Sequence, residues 1–381
     1  MNHSEITTPC YIVDEDKLRS NLQILHSVEE RSGAHILLAQ KAFSCYATYP
    51  LIGQYISGTT ASGLYEAKLG HDEMGKENHV FAPAYKDNEI DEIASICDHV
   101  IFNSPAQLMR HLPKVLGKTS IGLRINPEVS TQEDHAIYDP CAPGSRLGVT
   151  RANLDLALKK NPSLLDHVEG LHFHTLCEQN SDDLKTTWDA FEAKFGDLLP
   201  RMRWLNMGGG HHITREDYDI DLLVSIVKDI RERYNLTVYL EPGEAIALNA
   251  GYLETEVMDI VDNGLKVLIL DASAACHMPD VLEMPYRPPL RDSGKWGDEG
   301  KPYEYRLSSM TCLAGDVIGD YSFASEVKVG DHLVFEDMAI YSMVKNNTFN
   351  GIGLPSIYLK SGEDYRLIKS FGYSDFKERL S

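Results

Sequence analysis

Short apolar runs recur along this chain at intervals that leave room for a helix between most pairs, up to about residue 245, where the pattern stops. Runs at 36–39, 55–59, 79–82, 100–102, 121–125, 168–173, 204–207 and 238–240 read as strands. The segment 14–29 sets Leu18, Leu22, Leu25 and Val28 on one helical face behind an acidic start. Leu223, Ile226, Val227 and Ile230 form a similar face before the last strand. Strands alternating with helices pair in parallel, because each helical crossover returns the chain to the same end of the sheet. Eight such units in about 210 residues fit a (β/α)8, TIM-like barrel. A doubly wound open sheet is the structural rival.

Past residue 245 the texture changes. Runs at 253–261, 265–270, 333–335 and 357–359 read as strands with few helical patterns between them, and Pro285, Pro288 and Pro289 interrupt the chain. A second, β-rich domain (a β-barrel or sandwich) is expected. The opening Thr8-Pro9-Cys10-Tyr11-Ile12-Val13 is also strand-like and can pair with that later sheet. The expected division is therefore a barrel at 14–246 and a discontinuous β-rich domain formed by 1–13 and 247–381.

At 381 residues, 43% of them hydrophobic, the chain can bury a large core. A formal charge of -21 argues against nucleic acid and anionic membranes as partners and suits a small cationic substrate. The cysteines at 10, 45, 97, 141, 177, 276 and 312 are odd in number, scattered, and contain no CxxC pair, so neither a disulfide framework nor a zinc ribbon is indicated. With no apolar run of spanning length and no basic-then-apolar start, a cytoplasmic location is expected.

The reactive residue types gather where strands should end. Lys41 follows the run at 36–39, so it points into the mouth of a barrel, where desolvation can free its amine to attack a carbonyl. Its bland reading is a solvated charge. His172 and His174 alternate on one strand and share a face, as packed core residues, metal ligands or a flat surface against a planar ring. Gly208, Gly209 and Gly210 follow a strand directly and can turn backbone N–H groups toward a phosphate, or simply make a tight turn; they are not a GxGxxG fingerprint. Glu241, fixed by Pro242-Gly243, is a surface charge or a partner for a pyridine nitrogen. Cys312 lies in the loop-like Met310-Thr311-Cys312-Leu313-Ala314-Gly315-Asp316, a setting that favours an exposed thiol over a buried one.

In this order Lys41, HFH, GGG, EPG, the cysteine loop and Tyr341 before Thr348-Phe349-Asn350-Gly351 resemble the fold-type III pyridoxal-phosphate decarboxylases, which include the ornithine and diaminopimelate enzymes. The resemblance runs from Thr8-Pro9 to Phe371-Gly372-Tyr373. It implies that Lys41 carries pyridoxal 5'-phosphate covalently, that His174 stacks on its ring, and that Gly208, Gly209, Gly210 and Tyr341 hold its phosphate. It further implies that Glu241 pairs with the pyridine nitrogen, and that Cys312 donates a proton from the partner subunit of a homodimer.

Departures from that pattern narrow the resemblance. Glu244 stands where the family has an arginine, Leu313 where it has an acid for the substrate's distal amine, and Thr59 where it has an aspartate. Cys177-Glu178 replaces a small pair, and His211-His212 follows the glycines. This combination resembles the carboxynorspermidine (carboxyspermidine) decarboxylase branch. An amino acid with a polyamine arm needs carboxylates along its groove, and Glu178, Glu244, Asp280 and Asp316 are the candidates. Three alternatives stand beside it: a decarboxylase of diaminopimelate, ornithine or lysine; a metal-dependent barrel hydrolase using His172, His174, His211 and His212; and a non-catalytic regulator.

Overall fold

A computed structural model describes residues 3–132 and 139–381. The chain forms two compact units, Asn21–Ile246 and a discontinuous one of Met1–Ser20 with Ala247–Ser381. Strand β1 (Cys10–Asp14) leads into the helix Glu15–Ser32, and then come β2 (His35–Ala39), β3 (Gly58–Ala61), β4 (Glu77–Phe81) and β5 (His99–Phe102). They are followed by β6 (Ser120–Arg124), β7 (Gly170–His172), β8 (Trp204–Asn206) and β9 (Thr237–Leu240). Strands β2 to β9 close into a barrel of parallel neighbours, β9 returning to β2 through His35 opposite Tyr239. All eight expected barrel strands are present. The run at 55–59 lies early, because the amides of Tyr55 and Ile56 bond back to the Ile52 carbonyl and finish the turn of the preceding helix, so β3 begins only at Gly58.

The barrel's base is filled, which confines open chemistry to the other end. Trp204 lies across it, and two strands lack side chains to make room. A Cβ on Gly122 would sit 2.4 Å from the indole, and one on Gly170 2.0 Å. His99 stacks on Trp204 at 4.5 Å, and His79 stacks on His99 at 3.9 Å. Glu77 accepts from His35 and His79 at 3.1 and 3.0 Å. Burial pulls His99 down to about 2, so it is a neutral packing group. Glu77, His79 and His99 have ligand atoms close together, but imidazole lone pairs lie in the ring plane, and two nearly parallel rings this close cannot both aim at one ion.

The other unit is a mixed sheet. Its later strands are β10 (Gly251–Asp262), β11 (Lys266–Leu270), β12 (Tyr303–Ser309), β13 (Val317–Phe323), β14 (His332–Glu336), β15 (Ser356–Ser361) and β16 (Asp364–Lys369). The order is β13-β12-β11-β10-β1-β15-β16, with β14 also on β10. β1 pairs antiparallel with β10 and parallel with β15, as its strand-like sequence suggested. β10 is long enough to serve β1 and β14 with its first half and, beyond a bulge after Val257, β11 with its second. Tyr11, Leu253, Val257, Leu270, Tyr305 and Phe335 are among its core residues. No helix of the described residues is long and apolar enough to cross a membrane.

Candidate active site

The C-terminal ends of the barrel strands bring a lysine, an arginine, two histidines and a carboxylate together. Lys41 is two residues past β2. Its neighbour Gln40 is fully buried, giving Nε2–H to the Glu66 carbonyl and accepting from Tyr49 Oη, which anchors the turn that presents the lysine. The Pro242 carbonyl takes the Ala39 amide, and a Cβ on Gly243 would come within 2.5 Å of the Ala42 methyl. The glycine of EPG is thus needed for close packing against the lysine segment. Lys41 is reached by solvent yet ringed by protein. That burial, with the positive charge of Arg124, lowers its pKa against the opposing pull of Glu241. A larger fraction of free amine follows.

Glu241 is buried just past β9. Its Oε1 accepts from Thr60 Oγ1 at 2.9 Å and Asn206 Nδ2 at 2.7 Å, while its Oε2 lies 3.3 Å from His172 Nε2. Burial penalises the carboxylate, but His172 and these donors outweigh it and hold the pKa at about 2. His172 is itself pulled down by burial more than the carboxylate lifts it, and we assign it as neutral. An ionised, fixed carboxylate results.

His174 is oriented by the glycine run. The Gly209 amide donates to His174 Nδ1 at 2.9 Å, so Nδ1 carries no proton and the neutral ring keeps its proton on Nε2. Burial and the charges of Lys41 and Arg124 push its pKa well down. The Gly208 amide donates to Asn206 Oδ1 at 2.9 Å. Two of the three glycine amides therefore bond to side chains, and among the described residues the Gly210 amide makes no hydrogen bond. Gly208 and Gly210 have φ of +69° and +79°, and Cβ atoms there would sit 2.4 Å from the Phe173 oxygen and 2.0 Å from the Leu176 oxygen. The run is required by conformation and closeness before any ligand is considered.

Arg124, at the end of β6, was not anticipated, although a charge inside the apolar run at 121–125 was the available signal. It is buried, gives Nη2–H to the His174 carbonyl at 3.1 Å, and lies 4.5 Å over the Phe81 ring. Burial lowers it to about 10, which leaves it charged at neutral pH. Thr60 and Asn206 were likewise missed, since polar residues in short strands carry no signal by themselves.

The acids divide into two groups. Glu178 and Glu244 both act on Cys177, whose thiol burial and these two carboxylates push up to about 12, and Cys177 in turn is felt by Lys41. Glu178 has φ of +52°, a strained backbone held by Gln179, whose amide donates to the Gly210 carbonyl, and by Arg215, which donates to Glu178's own carbonyl. In the sheet unit, Asp280 is ion-paired with Lys345. Asp316 is buried and accepts from the hydroxyls of Ser273, Ser309 and Thr311 and from the Ala275 amide, which lower its pKa despite burial. Its carboxylate is spent on the protein. Cys312 is exposed, and Tyr341 has φ of +55°. The four-histidine metal reading finds no convergence: His174 Nδ1 accepts from Gly209, His211 Nε2 lies 3.3 Å from the Met207 carbonyl, and His212 Nδ1 lies 3.3 Å from Arg215.

A neutralisable lysine amine, an ionised buried carboxylate and a flat neutral imidazole in one mouth suit an aldehyde-bearing pyridine ring, so the residues present fit pyridoxal phosphate.

Residues 10–339 match the family described as pyridoxal-dependent decarboxylase, C-terminal sheet domain. The chain is 42% identical, over all of both sequences, to the carboxynorspermidine/carboxyspermidine decarboxylase of Campylobacter jejuni. It is 38% identical to the carboxyaminopropylagmatine decarboxylase of Synechocystis, over 99% of this chain and 96% of that one. The crystal structure of the C. jejuni carboxynorspermidine decarboxylase complexed with norspermidine superposes with a TM-score of 0.90 at 41% identity, covering 98% of this chain and 100% of that one.

Proposed function

The chain belongs to the pyridoxal-dependent decarboxylases, and from that premise we propose that it removes CO2 from carboxynorspermidine or carboxyspermidine to give norspermidine or spermidine. What supports the substrate reading is that Glu178 and Glu244 both act on the Cys177 thiol, which Lys41 feels in turn. Diaminopimelate carries a second carboxylate, which such a pair repels. A polyamine arm carries ammonium groups, which it attracts.

Bound pyridoxal phosphate supplies an electron sink for the pair left behind when CO2 departs. Lys41 would hold the cofactor's aldehyde carbon through Nζ, a task its lowered pKa suits. Glu241 would keep a proton on the pyridine nitrogen, a role its ionised, fixed carboxylate suits. His174 would stack on the ring, with its tautomer fixed by Gly209. The Gly210 amide and Tyr341 would hold the phosphate, and Arg124 would supply a fixed positive charge. Glu178 and Glu244 take the distal amines. Cys312 gives its thiol proton to the substrate carbon, reaching in from the partner subunit of a homodimer. Cysteines that are all free suit a reducing, cytoplasmic setting.

The test is CO2 release, measured under matched conditions, from carboxynorspermidine, carboxyspermidine, diaminopimelate, ornithine and lysine. One of the first two is expected to have the highest kcat/KM; a best rate on diaminopimelate or ornithine would refute the substrate reading. Glu244→Arg sharpens it. Losing a charge-assisted contact to a buried amine costs about 2–5 kcal/mol, so kcat/KM on the polyamine precursor should fall at least about thirtyfold. An improved rate would mean that Glu244 does not meet the substrate.

A further inference from the structure

An exposed asparagine in a left-handed turn holds the loop that carries Cys312. The amide of Cys312 donates to Asn350 Oδ1 at 2.7 Å, across 38 residues of sequence. Asn350 has φ of 59° and ψ of 10° and is itself exposed, so its side chain is held over the cysteine by backbone geometry rather than by burial. That backbone is anchored in turn. The Phe349 amide donates to Asn347 Oδ1 at 3.0 Å, and Asn347 gives Nδ2–H to the Ala275 carbonyl at 2.8 Å. Ala275 also gives its own amide to Asp316 Oδ1 at 3.1 Å. Asp316 Oδ2 takes the Thr311 hydroxyl, on the residue just before the cysteine.

The short helix Ala274–His277 thus anchors both arms of a clamp, Asp316 on one side of Cys312 and Asn350 on the other. Asp316 is buried, so a change there would leave its hydrogen-bond partners unsatisfied inside the unit. Asn350 is on the surface, and among the described residues its hydrogen bond to the loop is to the backbone of the reactive residue. A proton donor must approach within hydrogen-bond reach of the carbon it protonates, and a small displacement costs rate and selectivity together.

We infer that Asn350 is a positioning residue for proton delivery: by holding the Cys312 amide it fixes which atom the thiol proton reaches. This rests on the assignment of Cys312 as the donor. In the correct outcome the S–H bond breaks, a C–H bond forms at the substrate carbon, and solvent reprotonates the thiolate. When the proton goes astray to the cofactor, the amine nitrogen stays on the cofactor and water supplies the oxygen of a released aldehyde, so selectivity is read directly as aldehyde per CO2.

The test uses Asn350→Gly, which keeps the left-handed backbone and removes only the acceptor, and Asn350→Asp, which keeps the acceptor. In the apo protein, hydrogen exchange at the Cys312 amide should speed up about fivefold in Asn350→Gly, the loss of one ordinary hydrogen bond, and return toward wild type in Asn350→Asp. In the loaded enzyme Asn350→Gly should lower kcat, leave KM unchanged and raise aldehyde per CO2, and the double variant Asn350→Gly/Cys312→Ala should be no worse than Cys312→Ala alone. Additive losses in the double variant, or wild-type exchange and product ratio in Asn350→Gly while Cys312→Ala is impaired, would overturn the inference. A Cys312→Ala enzyme with normal rate and products would instead remove the donor assignment, and the inference with it.

Discussion

Lys41 and Cys312 are held still in opposite ways. The lysine stands on the barrel, where a parallel strand sets its direction and the neighbouring Gln40, Pro242 and Gly243 lock the turn by packing and backbone bonds. The cysteine stands on the sheet unit, in a turn whose tip is exposed, and side-chain oxygens do the holding: Asp316 for Thr311, and Asn350 for the cysteine's own amide. Secondary structure orients a side chain through many cooperative bonds and tolerates the loss of one. A clamp of a few side-chain bonds does not. Changes around Lys41 should therefore act through chemistry, and changes around Cys312 through geometry.

The largest effect expected is at Lys41. Lys41→Ala should lower kcat/KM at least about a thousandfold, on the order of 4 kcal/mol of barrier, and abolish the visible absorbance of the loaded protein while leaving the unfolding transition in place. Cys312→Ala should bind cofactor with its visible band intact, turn over more slowly and release aldehyde. Mixing the two inactive proteins tests whether the reactive groups are shared between subunits. Random exchange in a twofold dimer with shared sites restores about one quarter of the native sites. No recovery after verified exchange would mean that each chain uses its own pair of residues, and full activity in Lys41→Ala would end the cofactor reading.

The same contrast explains what was legible in the sequence. The barrel was, because each strand is a short apolar run and period alone marks it. Lys41, His174 and Glu241 stand just past such runs, which places them at the barrel's mouth; spacing left each a bland reading as well, and their roles came only with the resemblance. In the sheet unit β12, β13 and β16 went unread. They alternate polar with apolar residues, and Arg306 and Asp320, opposite each other on β12 and β13, form a two-pronged ion pair on the surface rather than an apolar stripe. Arg124, Thr60 and Asn206 were hidden for another reason: their importance lies in whom they meet across the barrel, and no spacing in one chain reports that. Asp316 was one of the candidate carboxylates for a polyamine arm, and four hydrogen bonds turn it inward.

A further prediction separates burial from charge at Glu241. Its folded pKa of about 2 lies below that of an unfolded glutamate, near 4.3. The ionised form is therefore favoured by folding: the stabilisation is fully present above the unfolded value and is lost as pH falls through the folded one. Wild type should lose on the order of 3 kcal/mol between about pH 5 and pH 2 from this group, and Glu241→Gln should lack that acid-sensitive portion. At neutral pH the same variant should lower kcat about a hundredfold if Glu241 is, as proposed, the negative partner of the ring nitrogen. Urea titrations across pH measure the first and steady-state assays the second. An unchanged acid limb would mean that the carboxylate is not held as described.

The smallest effect is expected at Asp280, and it tests whether the sheet unit contributes a charge to the substrate at all. Its carboxylate is paired with Lys345, which also meets Glu283 at 2.6 Å, and both members are partly exposed. A pair of this kind is worth about 0–1 kcal/mol, and its lysine already neutralises the charge that a substrate amine would seek. Asp280→Asn should therefore change kcat/KM on the polyamine precursor by no more than about threefold, and stability by less than about 1 kcal/mol. A loss as large as that of Glu244→Arg would assign the distal amine to the sheet unit instead of to the barrel's own acid pair.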